Sequence, residues 1–301
     1  MRQRWQQVQQ LLQQAQVSFE IAWTEHAGHA TVLAQQAASQ GVRKVACVGG
    51  DGTTNEVVNG LMQVGDLADA DQRPTLALIP VGTGTDFARS LHLPRHLAGA
   101  VEIAVHGVPG AVDVGHVTCQ SASGPVNRYF VNVAGFGFDA EAADLLARQG
   151  KRSGRFSYAR SVFQVLRRYV NKSLHIRLGT AQHEQQITGT FYMVIAANAR
   201  YFGNGMLVAP HADLSDGLLD VILVGAMSPL AFLRQFPNIY RGTHLAHPAV
   251  QSIRAQWLEV QATDAATVLL EGEGEVFGQA PARITLLPKA LNVIQPGPTQ
   301  R

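Results

Sequence analysis

The stretch Val48–Leu61, VGGDGTTNEVVNGL, sets a glycine-rich turn between an apolar run and a run with helical spacing, and puts a carboxylate at its centre. Upstream, Lys44–Val48 is short, apolar and rich in β-branched residues, which suits a parallel strand covered on both faces. Downstream, Val57, Val58 and Leu61 recur as the inward positions of a helix do. Gly49, Gly50 and Gly52 let the backbone come close to a ligand, and the free N–H groups of a helix starting at Thr53–Asn55 favour an anion. The pattern is that of a nucleotide-phosphate loop. Asp51 repels a bare phosphate, so it belongs in such a loop only if it holds a divalent metal that bridges phosphates, or orients the groups that do.

A tight turn with an Asx cap would also explain four residues of this kind. A second loop shifts the balance toward the phosphate loop. Thr75–Pro80 reads as another buried strand, followed by VGTGTDFARSL at Val81–Leu91, where two glycines again precede a helix. Thr83 and Thr85 offer hydroxyls, and Asp86 stands at the expected N-cap. A right-handed βαβ crossover brings both loops to one carboxyl edge, facing one ligand.

Taken together, GGDGTTNEVVNGL, PVGTGTDFAR, DGLLDV at Asp216–Val221 and EGE at Glu271–Glu273 resemble, in order and spacing, the diacylglycerol kinase catalytic family, and most closely its bacterial lipid-kinase branch. The likeness runs from about Thr24 to Pro296. NAD kinases and phosphofructokinases share a related Gly-Gly-Asp-Gly, but not the full set.

Length and composition agree. At 301 residues and 46% hydrophobic content the chain can bury a large core, and it exceeds the size at which single cores usually split. A net charge of +2 argues against nucleic acid as the main partner. Cys47 and Cys119 both fall in expected strands, too few for a disulfide framework or zinc site, which fits a cytoplasmic, reducing home. Met1–Gln16 carries the apolar stripe Trp5, Val8, Leu11, Leu12, Ala15 of a helix rather than a signal peptide. The best apolar candidate for a membrane span, Asp220–Leu233, is broken by Gly225 and Pro229 and reads as a strand and a short helix.

Strand–helix alternation runs to about Val105; thereafter short strands dominate, at Val112–Cys119, Tyr129–Ala134, Leu174–Leu178, Thr190–Ala196, Leu219–Val224, Gln256–Gln261 and Thr267–Glu271. The expected fold is α/β: an N-terminal nucleotide-binding lobe on a parallel sheet, then a β-rich antiparallel lobe. The expected boundaries are 1–108 with 284–301 returning, and 109–283 for the lipid substrate. The return of the chain end is an implication of the resemblance.

His211–Val221 crowds Asp213, Asp216 and Asp220 around a glycine, which suits either a hard cation or an Asx-capped turn. The resemblance implies a structural Mg2+ held by the side chain of Asp216 and the carbonyls of Asp213 and Leu218. In Leu270–Glu275, glutamates alternate with glycines after an apolar strand, and an ionised glutamate can accept the proton of an attacking hydroxyl. Glu273 matches the family's Asp-Gly-Glu outright and is the first choice for general base; Glu271 stands where an aspartate is usual and is the alternate. Asn132–Ala140, NVAGFGFDA, also resembles the family but receives no chemistry.

The activity implied is an ATP- and Mg2+-dependent lipid kinase acting on a glycerolipid hydroxyl, foremost diacylglycerol to phosphatidic acid. Gly49, Gly50, Asp51, Gly52, Thr53, Thr54, Asn55 and Thr83 would hold ATP, with Thr24, after a Phe19–Trp23 strand, as a further nucleotide contact taken from the family. Phosphatidylglycerol, a sphingoid base or NAD as acceptor, and a non-catalytic binding protein, are the alternatives. The last is favoured by Thr85 in place of the family's asparagine and by a start that lacks the first strand and its Asn-Pro turn; an upstream extension of the coding sequence is expected on that ground. Between Arg148 and Lys172 eight basic residues and no acidic ones interrupt a stripe of Phe156, Ala159, Phe163, Leu166 and Val170. That segment is either a core-packed helix with a basic face or a peripheral contact with the inner membrane surface. A homodimer is left open, and no nucleic-acid partner is expected.

Overall fold

The computed structural model describes residues 2–65, 71, 73–121, 124–149 and 164–297. The chain divides into two compact units: Met1–Val114 with Leu214–Asp216 and Leu287–Arg301, and Gly115–Asp213 with Gly217–Leu286.

In the first unit, α1 (Arg2–Gln14) and α2 (His29–Ser39) precede β1 (Lys44–Gly49), α3 (Asp51–Leu61), β2 (Thr75–Pro80), α4 (Asp86–Ser90) and α5 (Leu97–His106). β1 and β2 pair in parallel, from Lys44 opposite Thr75 to Gly49 opposite Pro80, so the two glycine loops leave from adjacent strand ends. Central apolar residues of β2, Leu76 to Ile79, are all buried, as a strand covered on both faces requires. Gly60 lets α3 approach α2: a Cβ there would run into the Thr31 carbonyl. Val8 and Leu12 bury the stripe of α1, while Trp5 meets Phe19 and Trp23 edge-on at 6.3 and 5.5 Å.

Phe19–Trp23 is not a strand. Ile21 and Trp23 are exposed and no ladder pairs the segment; alternation in the sequence makes a strand only when a neighbouring strand takes its amides.

β3 (Val108–Ser121) carries the chain into the second unit. There follow β4 (Gly124–Phe130), β5 (Val133–Gly137), α6 (Phe138–Gln149), β6 (Lys172–Gly179), β7 (Glu184–Ala197), the two-residue strands β8 (Tyr201–Phe202) and β9 (Met206–Leu207), β10 (Leu219–Gly225), α7 (Pro229–Arg241), β11 (Val250–Ala255), β12 (Trp257–Ala262), β13 (Leu269–Gly272) and the long β14 (Glu275–Gln295). The order β14-β12-β6-β7-β10-β11 is antiparallel throughout, and β5 bridges β7 and β13. Period two sorts its side chains into two cores. Val194 and Ala196 of β7 join Leu219, Val221 and Leu223 of β10 on one face, while Met193, Ile195 and Ala197 join Ile222 and Val224 on the other.

The expected single strand Tyr129–Ala134 is two, broken at Val131–Asn132, where a glutamate draws off both amides. β14 exceeds the expected returning segment, and its last residues reach β2 in parallel at Val293 opposite Leu76. Asp220 lies buried in β10, away from the turn at Gly217.

Candidate active site

Two glycine loops meet backbone to backbone. A Cβ on Gly82 would sit 2.7 Å from the Gly50 Cα, and one on Gly50 would sit 3.0 Å from the Gly84 carbonyl oxygen, so glycine is required for this approach. The Asp51 amide donates to the Gly84 carbonyl at 3.1 Å. In return, the Asp51 carboxylate accepts the amides of Asp86 (2.9 Å) and Phe87 (3.3 Å), the first two of α4. Asp51 therefore does the capping expected of Asp86. Thr85 is the N-cap position, makes no side-chain cap bond, and Asp86 is the first helical residue, buried. Burial pushes the Asp51 carboxyl up, opposed by the two amides and the Arg89 charge.

Glu56 behaves alike: its Oε2 accepts the Ala30 amide at 3.0 Å at the start of α2. Both acids of the first motif thus cap other helices. Their own helix, α3, begins after Gly50 with no side-chain cap, and a Cβ on Gly52 would meet nothing within 4 Å. An uncapped eleven-residue helix with an open first turn fits a phosphate. Arg4, which the sequence reading missed, donates to the Val81 carbonyl at 2.5 Å and brings a cation to the second loop. Cys47 lies behind the loop, its Sγ 3.6 Å from the Thr54 hydroxyl, and burial pushes its thiol up to about 11. Thr24 is exposed.

The second unit holds a different carboxylate arrangement. Glu273 and Gly274 form a two-residue hairpin tip between β13 and β14, both at positive φ (56° and 84°), as such turns demand. Glutamate in that region is strained, and such strain gathers at functional positions. Its carboxylate is held by three donors: Val131 N (2.9 Å) and Asn132 N (2.6 Å) on Oε1, and Asn132 Nδ2 (2.6 Å) on Oε2. These amides are the ones lost from the strand between β4 and β5.

Glu271 is buried. Its Oε2 accepts the Gly274 amide at 2.7 Å, and its Oε1 has no hydrogen-bond partner. β5 and β13 place Glu271 opposite Gly135. A Cβ on Gly135 would strike Asp139 Oδ2, also without a hydrogen-bond partner, and would meet Glu271 Oε1 at 3.3 Å. Asp139 Oδ1 accepts the Ala140 amide at 2.9 Å. Two buried carboxyls share the space that the glycine leaves. Desolvation raises Asp139 to about 7, and desolvation with the Asp139 and Glu273 charges raises Glu271 well above the usual range. Like charges this close cannot both ionise cheaply, so the pair keeps a proton near neutrality. Asn132 and Asp139 lie in the stretch to which no chemistry was given.

The turn at Gly217 (φ 76°) leaves Asp213 and Asp216 exposed. Among the described residues no cluster of three or more His, Cys, Asp or Glu side chains suits a metal ion. One carboxylate and two backbone carbonyls of such a turn are all hard oxygen donors, a set that fits Mg2+.

Of the eight cations between Arg148 and Lys172, Lys151, Arg152, Arg155 and Arg160 lie outside the described residues, as do Phe156, Ala159 and Phe163. Arg148 pairs with Asp144 at 2.8 Å and Lys172 with Glu141 at 2.6 Å, so these two are matched by acids of α6. Residues 164–168 are helical and bury Leu166, but Val170 lies beyond the helix and is 71% exposed, off the expected stripe. No helix among the described residues is long and apolar enough to cross a membrane.

The diacylglycerol kinase catalytic domain matches residues 1–117, and the YegS C-terminal NAD kinase beta sandwich-like domain matches residues 132–295. A diacylglycerol kinase of Mycobacterium tuberculosis is 32% identical over 265 residues, 88% of this chain and 80% of that one. One from Bacillus subtilis is 30% identical over 292 residues, covering 96% and 90%. Among solved structures, a candidate diacylglycerol kinase from Bacillus anthracis superposes with a TM-score of 0.70 at 25% identity, covering 93% of this chain and 87% of that one.

Proposed function

The chain belongs to the diacylglycerol kinase catalytic family and is by that membership a lipid kinase; from this premise we propose that it transfers the γ-phosphoryl group of ATP, with Mg2+, to the free hydroxyl of a glycerolipid, diacylglycerol foremost. The observation that carries the reading is the uncapped start of α3 inside two glycine loops that Asp51 ties together.

The first unit is read as the parallel-sheet nucleotide lobe, the second as the lipid-substrate lobe. Within Gly49–Asn55 the amides of Gly50, Gly52 and Thr53, with the hydroxyls of Thr53 and Thr83, would hold the phosphates, and Thr24 would be an outer contact. The Asp51 and Thr54 amides already go to the Gly84 and Gly50 carbonyls and the Thr54 hydroxyl lies buried against Cys47, so Thr54 supports the loop from behind instead of touching ATP. Asp51 would act by holding the second loop in register, because both its oxygens already accept α4 amides. Mg2+ bound to the phosphates supplies charge neutralisation, on which phosphoryl transfer mostly depends. A further Mg2+ would be structural, held by the Asp216 carboxylate and the Asp213 and Leu218 carbonyls.

Glu273 is the better general base. It is half-buried and oriented by three donors, whereas Glu271 is buried and keeps a proton with Asp139. The acceptor hydroxyl would lose its proton to Glu273 as its oxygen attacks the γ-phosphorus and ADP leaves. Contact with the inner membrane face would deliver the lipid.

Incubation with γ-labelled ATP, Mg2+ and a panel of diacylglycerol, phosphatidylglycerol, sphingosine and NAD tests the reading. Label in phosphatidic acid supports it. Label in another acceptor alone moves the substrate, and label in none makes the chain a binding protein.

A further inference from the structure

α7 shows an unmatched face. Ser228 caps it, accepting the Ala231 amide at 3.2 Å, Pro229 begins it and Gly242 ends it in the left-handed region. On one side Phe232 is buried against Tyr192 (4.7 Å between ring centres) and Phe138 (4.9 Å), with Phe236 beside it. That side accounts for the helix's anchorage. Yet Leu230 (59% exposed) and Leu233 (42%) face away from it, and Tyr240 (48%) stands at its border, its ring edge-on to Phe236 at 5.9 Å. At about 100° per residue, Leu230, Leu233 and Tyr240 fall with Arg234 and Arg241 within an arc of about 120°. The apolar residues occupy one side of the arc and the two arginines the other.

Asn171 ties the segment that carries Val170, also exposed, to Met227 just before α7. Its Nδ2 donates to the Met227 carbonyl at 3.3 Å and its Oδ1 accepts the Met227 amide at 3.4 Å, which sets Val170 beside the start of α7. The charge is one-sided: the sequence holds no Asp or Glu between Asp220 and Glu259. Monomeric proteins seldom expose apolar residues in such a row unless something covers them. Leucines and a tyrosine flanked by arginines, with no acid on the helix itself, complement a layer that is apolar inside and anionic at its surface.

We propose that the exposed face of α7, with Val170, docks on an anionic phospholipid bilayer, Leu230, Leu233 and Tyr240 entering the acyl boundary while Arg234 and Arg241 meet lipid phosphates. The proposal rests on the lipid-kinase reading for its purpose but not for its test.

The full-length protein is sedimented with vesicles of phosphatidylglycerol and phosphatidylcholine, alone and loaded with long-chain diacylglycerol. Water-soluble dihexanoylglycerol serves as a second kinase substrate. Arg234→Glu with Arg241→Glu should lower vesicle partition at least tenfold, since each cation is worth about fivefold on an anionic surface. Leu230→Gln with Leu233→Gln should lower it comparably and remain low in phosphatidylcholine alone. Phosphorylation of vesicle-borne substrate should fall in step, while turnover of dihexanoylglycerol stays within twofold, which also shows that the variants fold. Unchanged vesicle partition in both pairs overturns the proposal. So does a wild-type dimer that the leucine pair converts to monomer, because a second copy then covers the face. If the wild type phosphorylates no lipid but partition still falls in the variants, the docking surface stands and the kinase reading fails.

Discussion

Residues 49–56 and 271–275 are both glycine-punctuated acidic stretches, and they use their carboxylates in opposite ways. In the first, Asp51 and Glu56 reach outward to cap α4 and α2, and the helix they sit on has no side-chain cap of its own, its Asp51 amide going to the Gly84 carbonyl. In the second, Glu271 turns inward to Gly274, and Glu273 reaches back to the strand break at Val131–Asn132. The first arrangement leaves the start of α3 without a side-chain cap, the feature on which the proposed phosphate site rests. The second fixes one carboxylate at a hairpin tip beside a buried pair that holds a proton. Glycine serves close backbone approach in one and positive φ at Gly274 in the other. A carboxylate beside glycines is therefore defined by the amides it accepts.

The largest effect should come from the hairpin. Glu273→Gln keeps an oxygen for part of the Val131–Asn132 clamp but cannot take a proton, so kcat should fall by about 10²–10⁴ with little change in KM for ATP. Steady-state kinetics check this; a larger loss from Glu271→Gln would exchange the two roles.

Gly52→Ala probes the cradle from the other side. A methyl group there meets nothing in the protein, and alanine favours a helix over glycine by up to about 1 kcal/mol, less near an end. The thermal midpoint should hold or rise slightly, while KM for ATP rises several-fold as the methyl intrudes on the phosphates. Lower stability with unchanged KM would place the phosphates elsewhere.

The smallest effect concerns the buried pair. Because Asp139 titrates near 7 in the fold and near 4 when unfolded, the folded state binds more protons between these values. The contribution of this pair to stability is then full below about pH 4 and is lost as pH rises toward 7, by on the order of 1 kcal/mol per unit. Asp139→Asn should flatten that slope in denaturant titrations from pH 5 to 8; an unaltered slope would show that the pair does not share its proton.

Much of this was legible in the residues. The two glycine loops could be read because a β-branched apolar run, glycines and a helix-spaced run are local signals, and β2 falls on Thr75–Pro80 as expected. Phe19–Trp23 misled because alternation does not reveal whether a neighbour strand is present. Capping of α4 by Asp51 rather than Asp86 was hidden, since Asp86 is a good N-cap by residue type and the competing acceptor lies 35 residues away. The clamp on Glu273 joins residues 141 apart. Asp139 looks like any acid in a first helical turn, and only the pairing of β5 with β13 sets it against Glu271. Local chemistry was readable; partners brought by sheet register were not.

The division of labour between the two stretches is tested most directly by equilibrium titration of Mg2+–ATP into the wild type, Asp51→Asn and Glu273→Gln. Asparagine can accept one of the two α4 amides but turns an N–H against the other, so Asp51→Asn should loosen the loops and weaken ATP binding at least tenfold. Glu273→Gln should bind ATP within twofold of the wild type. Equal losses in both variants, or a loss confined to Glu273→Gln, would contradict the account.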